Sequence, residues 1–251
     1  MGHIKHSLHA SYLNILDKNF QALNLGQGIN VLDVGCGNGS NVKALREMNF
    51  NAYGIDIEFK PGPDLQELKQ SKIIKLIRYN KENRSSLSHG DEYVWPTFDR
   101  KFDVIVSRAV LEHVVDIESF VRQTLENLKE KGQCIHYYPS KLSVIEPHTG
   151  VPFGALIQSK TWYRLMCSLG LCLKKFRNNG SGALDYMKNY TNFRWQYEID
   201  RMFINYGFKR SKAAVSPLRC HPKSSLRLMS YVPGIDSLFK AFRSNVVIYT
   251  R

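Results

Sequence analysis

The sequence predicts an open α/β fold with a mainly parallel sheet. Between residues 28 and 140, short apolar runs alternate with amphipathic segments at the intervals typical of strand–helix–strand units. The first apolar run ends in a loop with three glycines, where such folds bring a ligand close to the backbone. With 251 residues, 43% of them apolar, the chain can bury one sizeable core. We expect a single domain over 1–251, with a core at 28–140, a helical insert at 141–206 and closing strands with a basic tail at 207–251.

The first half of the core follows from the spacing of its apolar residues. Residues 11–24 have helical spacing, with Ser11 as a candidate N-cap, and a buried strand then enters the glycine loop. A helix is predicted over 40–50, and a short strand that ends in two acids follows at 51–58. A turn into a short helix and a third strand come next, in "PGPDLQELKQ" and "KIIKLIRY".

The second half begins with a polar, turn-rich stretch over 80–100, which is predicted to form a loop. A fourth strand follows in "KFDVIVSRAVLEHV". The next helix is predicted over 117–131, with Asp116 as its N-cap and Gly132 at its end. A fifth strand, the helical insert and two closing strands complete the pattern, the strands lying in "QCIHYYP", "FKRSKAAV" and "NVVIYTR".

The net charge of +13 favours anionic partners such as nucleic acid, acidic lipid headgroups, or carboxylated and phosphorylated substrates. No apolar run approaches the roughly 20 residues of a membrane span, and the N-terminus lacks the apolar region of a secretory signal. We therefore expect a cytoplasmic protein. Five scattered cysteines without a Cys-x-x-Cys pair indicate free thiols, and we expect no metal site.

Two classes of cofactor compete for the loop formed by Gly35, Gly37 and Gly39. A nicotinamide dinucleotide requires G-x-G-x-x-G, but Ser40 occupies the place of the third glycine. An ionised Asp33 would also repel a pyrophosphate, by about 4 kcal/mol per like-charge pair at ~4 Å and an effective dielectric constant of ~20. S-adenosylmethionine carries a sulfonium and an ammonium group and no phosphate, so that Asp33 would attract it. The pattern therefore favours S-adenosylmethionine.

The second strand supplies an acid for a nucleoside. Asp56 lies about 20 residues after the first glycine, where a carboxylate accepts hydrogen bonds from both ribose hydroxyls. Glu58 is the alternative acceptor. Because nicotinamide enzymes share this feature, Asp56 indicates a nucleoside without distinguishing between the two cofactors.

Three ordered motifs resemble a known family. They are "VLDVGCGNGS", "AYGIDIE" and "FDVIVSRAVLEHV", and the similarity covers about residues 28–140. The sequence resembles the class I S-adenosylmethionine-dependent methyltransferases, above all the small-molecule group that includes quinone-biosynthesis enzymes. This resemblance implies a Rossmann-like sheet of seven strands, with helices on both faces and an antiparallel last strand. It also implies in-line methyl transfer to an oxygen or nitrogen of a small-molecule, glycan or lipid-precursor acceptor.

The resemblance also assigns residues to the cofactor. The methionine part is expected to contact the glycine loop and its acid, namely Asp33, Gly35, Cys36, Gly37 and Gly39. Asp56 is expected to bind the ribose, and Ile57 to contact the adenine. Ser107, at the end of the fourth strand, is expected to lie near the methionine ammonium. The family often has an acid after the third strand that bonds the adenine amine. Asn80 stands at that place here, and Asp91 is the alternative.

Methyl transfer needs at most one base to remove a proton from the acceptor, and two histidines are candidates. His148 lies in a proline- and glycine-rich loop after the fifth strand, where the acceptor is expected to enter. Glu146 in the same loop could orient His148 or act as the base itself. His113, which follows the fourth strand, either shapes the wall of the pocket or serves as the base.

Aromatic and basic residues alternate over 153–200, which favours an anionic or ring-bearing acceptor. A nucleic-acid acceptor is less favoured, because "SRAV" replaces the Asn/Asp-Pro-Pro-aromatic tetrapeptide of the amino-methylating nucleic-acid enzymes. The basic and apolar tail fits either contact with an anionic membrane or a helix that packs on the core. A nucleic-acid methyltransferase and an S-adenosylmethionine-binding module without turnover remain the alternatives.

Overall fold

The computed structural model describes residues 8–79, 93–221, 223–232 and 234–251, and a seven-stranded sheet forms its centre. The strands, in chain order, are β1 (Asn30–Val34), β2 (Asn51–Asp56), β3 (Ile74–Leu76), β4 (Arg78–Tyr79), β5 (Tyr93–Val94), β6 (Phe102–Arg108), β7 (Leu128–Pro139), β8 (Lys209–Ser211) and β9 (Ser244–Thr250). Strands β4 and β5 pair with each other in a separate two-stranded sheet.

The order across the main sheet is β3-β2-β1-β6-β7-β9-β8. The first five strands in this order, β3, β2, β1, β6 and β7, run parallel to one another, whereas β9 runs antiparallel between β7 and β8. This arrangement confirms the open, mainly parallel, Rossmann-like sheet and its antiparallel last strand. Strand β1 lies inside the sheet between β2 and β6, and its residues from Val31 to Val34 are buried.

Helices cover both faces of the sheet, as expected. They are α1 (Leu8–Ala22), α2 (Ser40–Glu47), α3 (Leu65–Gln70), α4 (Ile117–Asn127), α5 (Lys160–Ser168), α6 (Gly180–Tyr190), α7 (Gln196–Asn205), α8 (Ser224–Met229) and α9 (Ile235–Phe242), with a 3₁₀ turn at Lys174–Phe176. Helices α1, α2 and α3 contribute to one core cluster, in which Phe20 joins Val104 of β6. Helices α4 and α7 contribute to the other, in which Phe120 and Phe203 join Ile105.

The insert after β7 is helical, as expected, and has a small core of its own. Tyr163 and Met166 of α5 are buried with Leu184 and Met187 of α6 in that core. A Cβ at Gly180 would lie 2.5 Å from the backbone of α5, so glycine permits the close approach of the two helices. Helix α7, which the sequence groups with the insert, packs against α4 and the main core instead.

Two predicted helix boundaries are wrong. The helix predicted over 117–131 ends at Asn127, because Leu128 is fully buried opposite Phe102 and begins β7. Gly132 therefore lies inside a strand and ends no helix. Ser11 lies within α1, which begins at Leu8, and so it does not cap that helix.

The predicted third strand splits in two. Only Ile74–Leu76 pairs with β2, while β4 pairs antiparallel with β5. Between them, the buried Ile77 donates its N–H to the carbonyl of Asp56 at 2.8 Å. A short strand thus lies within the stretch predicted as a loop, of which residues 80–92 are outside the described part of the chain.

Helices α8 and α9 leave apolar side chains at the surface. Leu228 is 68% exposed and Leu238 is 54% exposed, so these helices cover the core only in part. Within the described residues, no helix combines the length and the apolar character that crossing a membrane requires.

A polar network joins α7 to the closing strands. Oδ1 of Asp200 accepts hydrogen bonds from the hydroxyl of Tyr249 at 2.7 Å and from Nε2 of Gln196 at 2.9 Å. Its other oxygen forms an ion pair with Arg210. The ring of Tyr249 stacks on Phe203 with centroids 3.9 Å apart. The network therefore fixes β9 against the helix layer.

We expect Tyr249→Phe to lower the free energy of unfolding by about 1–3 kcal/mol, because Asp200 loses a hydrogen bond to a charged group while the stacked ring remains. Urea denaturation followed by circular dichroism measures the change. Tyr206→Phe is the matched control, since the hydroxyl of Tyr206 donates to Glu118 at an exposed position. An equal loss in both variants would contradict the role given to the network.

Candidate active site

The loop between β1 and α2 has a shape that requires glycine. Gly35, Gly37 and Gly39 have φ values of 78°, 57° and 80°, in the left-handed region that favours glycine. A Cβ at Gly35 would overlap Cγ2 of Val110, in the turn after β6. The loop therefore presents bare backbone at the carboxyl end of the sheet, where ligands bind in folds of this kind.

Asp56 fastens the glycine loop to the end of β2. Its Oδ2 accepts a hydrogen bond from the N–H of Gly37 at 2.7 Å, and its Oδ1 accepts one from the N–H of Glu58 at 3.1 Å. The carbonyl of Ile55 accepts two more N–H groups of the loop, at 2.8 and 3.1 Å. The structure thus brings the predicted ribose acid into contact with the loop.

Asp33 lies at the end of β1 and is fully buried. Among the described residues, neither of its carboxyl oxygens has a well-formed hydrogen bond, although the side chain of Asn41 lies close enough to favour the ionised form. Burial raises the pKa of Asp33 to about 7, against the opposing effects of Asn41 and Arg108. A buried polar group without a partner costs roughly 1–3 kcal/mol, so a ligand with a positive charge or N–H donors fits here.

Sequence analysis missed two residues close to Asp33. The hydroxyl of Tyr12 is buried and, within the described chain, has no partner, and the charge of Asp33 adds to burial in raising its pKa. The guanidinium of Arg108 lies over the ring of Tyr12, 5.4 Å from its centroid. Helical spacing predicts that Tyr12 faces the core, but it does not indicate that its hydroxyl approaches an acid on β1.

The remaining predicted cofactor residues offer different contacts. Cys36 is buried in the glycine loop, and burial raises the pKa of its thiol, while Ile57 is 48% exposed just after β2. Ser107 is buried, and its hydroxyl is already engaged with Nδ1 of a buried histidine on β7 at 2.8 Å. Asn80 and Asp91, the candidates for the adenine amine, lie outside the described residues.

Two predicted catalytic residues, His113 and His148, meet where the core joins the insert. Their Nε2 atoms are 3.1 Å apart, and their rings are nearly perpendicular, at 83°. Nδ1 of His113 lies 2.6 Å from the carbonyl oxygen of Tyr190, at the end of α6. Burial lowers the pKa of His113, although this hydrogen bond acts in the opposite direction.

The histidine pair adjoins the glycine loop. The turn that carries His113 also carries Val110, whose side chain packs against Gly35. Lys60 donates its N–H to the carbonyl of Gly37 at 3.4 Å, and its charge adds to burial in lowering the pKa of His113. A ligand on the loop and a second ligand at the histidines would therefore be neighbours.

Glu146 is a fully buried acid that orients His148. It accepts hydrogen bonds from the N–H and Nδ1 of His148, at 2.9 and 2.6 Å, and from the N–H and hydroxyl of Thr149, at 2.7 and 2.6 Å. Burial alone would raise the pKa of Glu146, but these bonds outweigh it and lower the pKa. Glu146 is thus a fixed, ionised acceptor, and Nδ1 of His148 carries a proton.

Glu112, next to His113, is a second acid that sequence analysis did not select. It is 2% exposed, and no described residue bonds either of its carboxylate oxygens. One of these oxygens and one ring nitrogen from each of His113 and His148 all lie within 4.8 Å of one another. The Glu-His pair is visible in "LEHV", but only the fold shows that both side chains approach His148.

The arrangement suits two neighbouring ligands. The glycine loop, Asp56 and the unpaired Asp33 can hold a nucleoside that carries a positive charge, because bare backbone and two acids meet there. The two histidines and their acids can bind a second molecule beside it or exchange a proton with it.

Comparison with known proteins agrees with this interpretation. The chain is 28% identical over 134 residues to a ubiquinone biosynthesis O-methyltransferase of Rickettsia bellii. The matched region covers 53% of this chain and 51% of that protein. It is 28% identical over 108 residues to the enzyme of the same name from Rickettsia conorii, covering 43% and 34% of the two chains. The similarity thus spans about half of these relatives or less.

Solved structures show the same fold. A crystal structure of an S-adenosylmethionine-dependent methyltransferase from Mesorhizobium loti covers 98% of this chain and 100% of its own, with a TM-score of 0.53 and 13% identity. A family model described as a methyltransferase domain matches residues 5–209, which is most of the sequence. The chain therefore belongs to the methyltransferase domain family.

Proposed function

We propose that the chain binds S-adenosylmethionine and transfers its methyl group, by in-line displacement, to an oxygen or nitrogen of a small-molecule, glycan or lipid-precursor acceptor. Family membership supports the reaction class. The observation that carries the choice of cofactor is the buried, unpartnered Asp33 beside a glycine loop held by Asp56. The names of the curated relatives favour an oxygen acceptor.

We assign the cofactor and the acceptor to different segments of the chain. Residues 28–140 hold the cofactor, with Asp33 and the glycine loop at its methionine part, Asp56 at its ribose and Ile57 at its adenine. Asn80 is proposed for the adenine amine. The insert after β7 covers the acceptor side.

S-adenosylmethionine, when bound, supplies an activated methyl group on a good leaving group. The work left to the chain is to hold the acceptor in line with that methyl, and such positioning can supply ~7–11 kcal/mol. We propose that His148, held by Glu146 and paired with His113, activates the acceptor atom. Its place supports this role, because the pair adjoins the glycine loop on the side of the insert.

The walls around His148 favour a ring-bearing or anionic acceptor. The rings of Phe193 and Tyr186 lie 6.1 and 6.4 Å from the ring of His148. Lys175 lies over Tyr186, 4.9 Å from its centroid. Aromatic faces with a cation beside them suit a planar acceptor that carries negative charge.

Surface charge supports two further proposals about partners. Exposed apolar residues on α8 and α9, such as Leu228 and Leu238, stand among basic ones and suit peripheral contact with an anionic membrane from the cytoplasm. The net charge of +13 keeps a nucleic-acid acceptor as the alternative. A binding module without turnover is the other alternative.

We expect Asp56→Ala to weaken binding of S-adenosylhomocysteine at least tenfold, because loss of one hydrogen bond to a charged group costs about 1.5–3 kcal/mol. Isothermal titration calorimetry measures the affinity. Glu58→Ala is the matched control, since Glu58 is the alternative ribose acceptor, and we expect it to leave the affinity nearly unchanged. The reverse ranking, or tighter binding of a nicotinamide dinucleotide, would contradict the assignment.

Asp33→Asn is expected to weaken cofactor binding and to stabilise the ligand-free chain at high pH. The pKa of Asp33 is about 7 when folded, against an ordinary value of 3.8. The folded state therefore loses stability as pH rises from about 4 to about 7, by on the order of 4 kcal/mol, and asparagine does not take part in this loss.

Urea denaturation at pH 5 and pH 8 tests this expectation. The stability gained by Asp33→Asn should be larger at pH 8, whereas the change in stability caused by Asp17→Asn, at a partly exposed position on α1, should be the same at both pH values. If the stability gained by Asp33→Asn is the same at both pH values, burial does not raise the pKa of Asp33.

We expect His148→Gln to lower methyl transfer at least ~100-fold while the affinity for S-adenosylhomocysteine stays within error. The measurement follows labelled methyl from the cofactor into cell extract, separated into lipid, glycan, small-molecule and RNA fractions. Label in the RNA fraction would favour the nucleic-acid alternative, and transfer to no fraction would favour a binding module. An unchanged rate in His148→Gln would remove this residue from the reaction.

A further inference from the structure

The two facing imidazoles have their protons on the far sides of their rings. Nδ1 of His113 points to a backbone carbonyl, and Nδ1 of His148 points to the Glu146 oxygen that also accepts the N–H of His148. Both partners only accept hydrogen bonds, so each Nδ1 must be the donor. In a neutral imidazole the other nitrogen then carries a lone pair. The two Nε2 atoms, 3.1 Å apart, therefore direct lone pairs at one another, which is repulsive unless a positive charge lies between them.

Glu112 places a carboxyl group, without a hydrogen-bond partner in the described chain, beside the two imidazoles. Its carboxylate is almost fully buried, has no hydrogen-bond partner among the described residues, and lies within 4.8 Å of both histidines. A proton shared by the two imidazoles would relieve their repulsion but would leave this carboxylate without a partner. A divalent cation would satisfy all three groups at once, because each offers it a lone pair.

We propose that Glu112, His113 and His148 form a binding site for a divalent transition-metal ion of the Zn²⁺ type. Two imidazole nitrogens and one carboxylate oxygen are a donor set that such ions accept, and three protein ligands leave the fourth position open. Tetrahedral bonds of 2.0–2.1 Å place ligand atoms roughly 3.3 Å apart, close to the separation of the two Nε2 atoms. This proposal replaces the sequence-based expectation of no metal.

The contacts behind the histidines are those that a metal site requires. Glu146 and the carbonyl of Tyr190 each receive an Nδ1–H, which fixes the ring orientation and leaves Nε2 for the ion. These contacts come from three separate parts of the chain, namely the turn after β6, the loop after β7 and the end of α6. The site therefore forms only when the insert is docked on the core.

The consequence for the reaction rests on the proposed function. An acceptor hydroxyl at the open position would ionise more readily, because the ion stabilises the negative oxygen. Its proton passes to solvent, the oxygen forms a bond to the methyl carbon, and the carbon–sulfur bond breaks with its electron pair left on sulfur. His148 would then activate the acceptor as a ligand of the ion and not as a free base.

The test is direct titration of the full chain with Zn²⁺ after treatment with a chelator, in competition with a chromophoric indicator. We expect one tight site per chain, and Co²⁺ in its place should show the absorption bands of a tetrahedral centre. Glu112→Gln and His148→Gln should each weaken binding of Zn²⁺ at least ~100-fold. Glu146→Gln should weaken it about 10–100-fold, as removal of an orienting partner does. His221→Gln, a histidine outside the cluster, should have no effect.

Thermal unfolding distinguishes the loss of a metal ligand from a failure of the variant to fold. Zn²⁺ should raise the melting temperature of the unmodified chain but not that of Glu112→Gln, which should itself be at least as stable as the metal-free chain. Absence of Zn²⁺ binding, or binding that survives both ligand substitutions, would overturn the proposal. Binding of S-adenosylhomocysteine is measured separately, so the metal site and the proposed methyl transfer can fail independently.

Discussion

Burial of acids at the carboxyl end of the sheet is the constraint on which the site depends. Strand β1 lies between β2 and β6, and Asp33 near its end is fully buried. The glycine loop that follows leaves room for a ligand, and Asp56 from the next strand holds that loop in place. Glu112, in the turn after the neighbouring strand β6, is a second buried acid at this edge. In both places a carboxyl group is removed from solvent without a hydrogen-bond partner among the described residues. Protonation or a bound ligand can relieve the free energy that this costs.

The core and the insert are joined by hydrogen bonds to backbone carbonyls, not by side-chain packing alone. The N–H of Asn192 donates to the carbonyl of Glu112 at 2.6 Å, and Arg194 donates to the carbonyls of Val114 and Val115. These bonds attach the segment after α6 to the turn that carries His113. Movement of the insert would therefore also move the turn that carries His113.

The fold was predictable because it follows from local patterns. Alternating apolar runs and glycine spacing identify the parallel sheet, the loop at Gly35 and the acid at Asp56 without any long-range information. The end of α4 was not predictable, because Leu128 continues the helical spacing and becomes a strand residue only through its contact with Phe102. The partners of the histidines were not predictable either, since Tyr190 lies 77 residues from His113 and only tertiary packing joins them.

The position of β9 within the sheet has a consequence for synthesis. Because β9 lies between β7 and β8, the edge of β7 stays open until residues 244–250 have left the ribosome. An unpaired strand edge is a template for association with other chains. The Asp200 network, whose Tyr249 lies on β9, forms only at that moment. The nascent chain therefore keeps an aggregation-prone edge unpaired while residues 140–243, which separate β7 from β9, are translated.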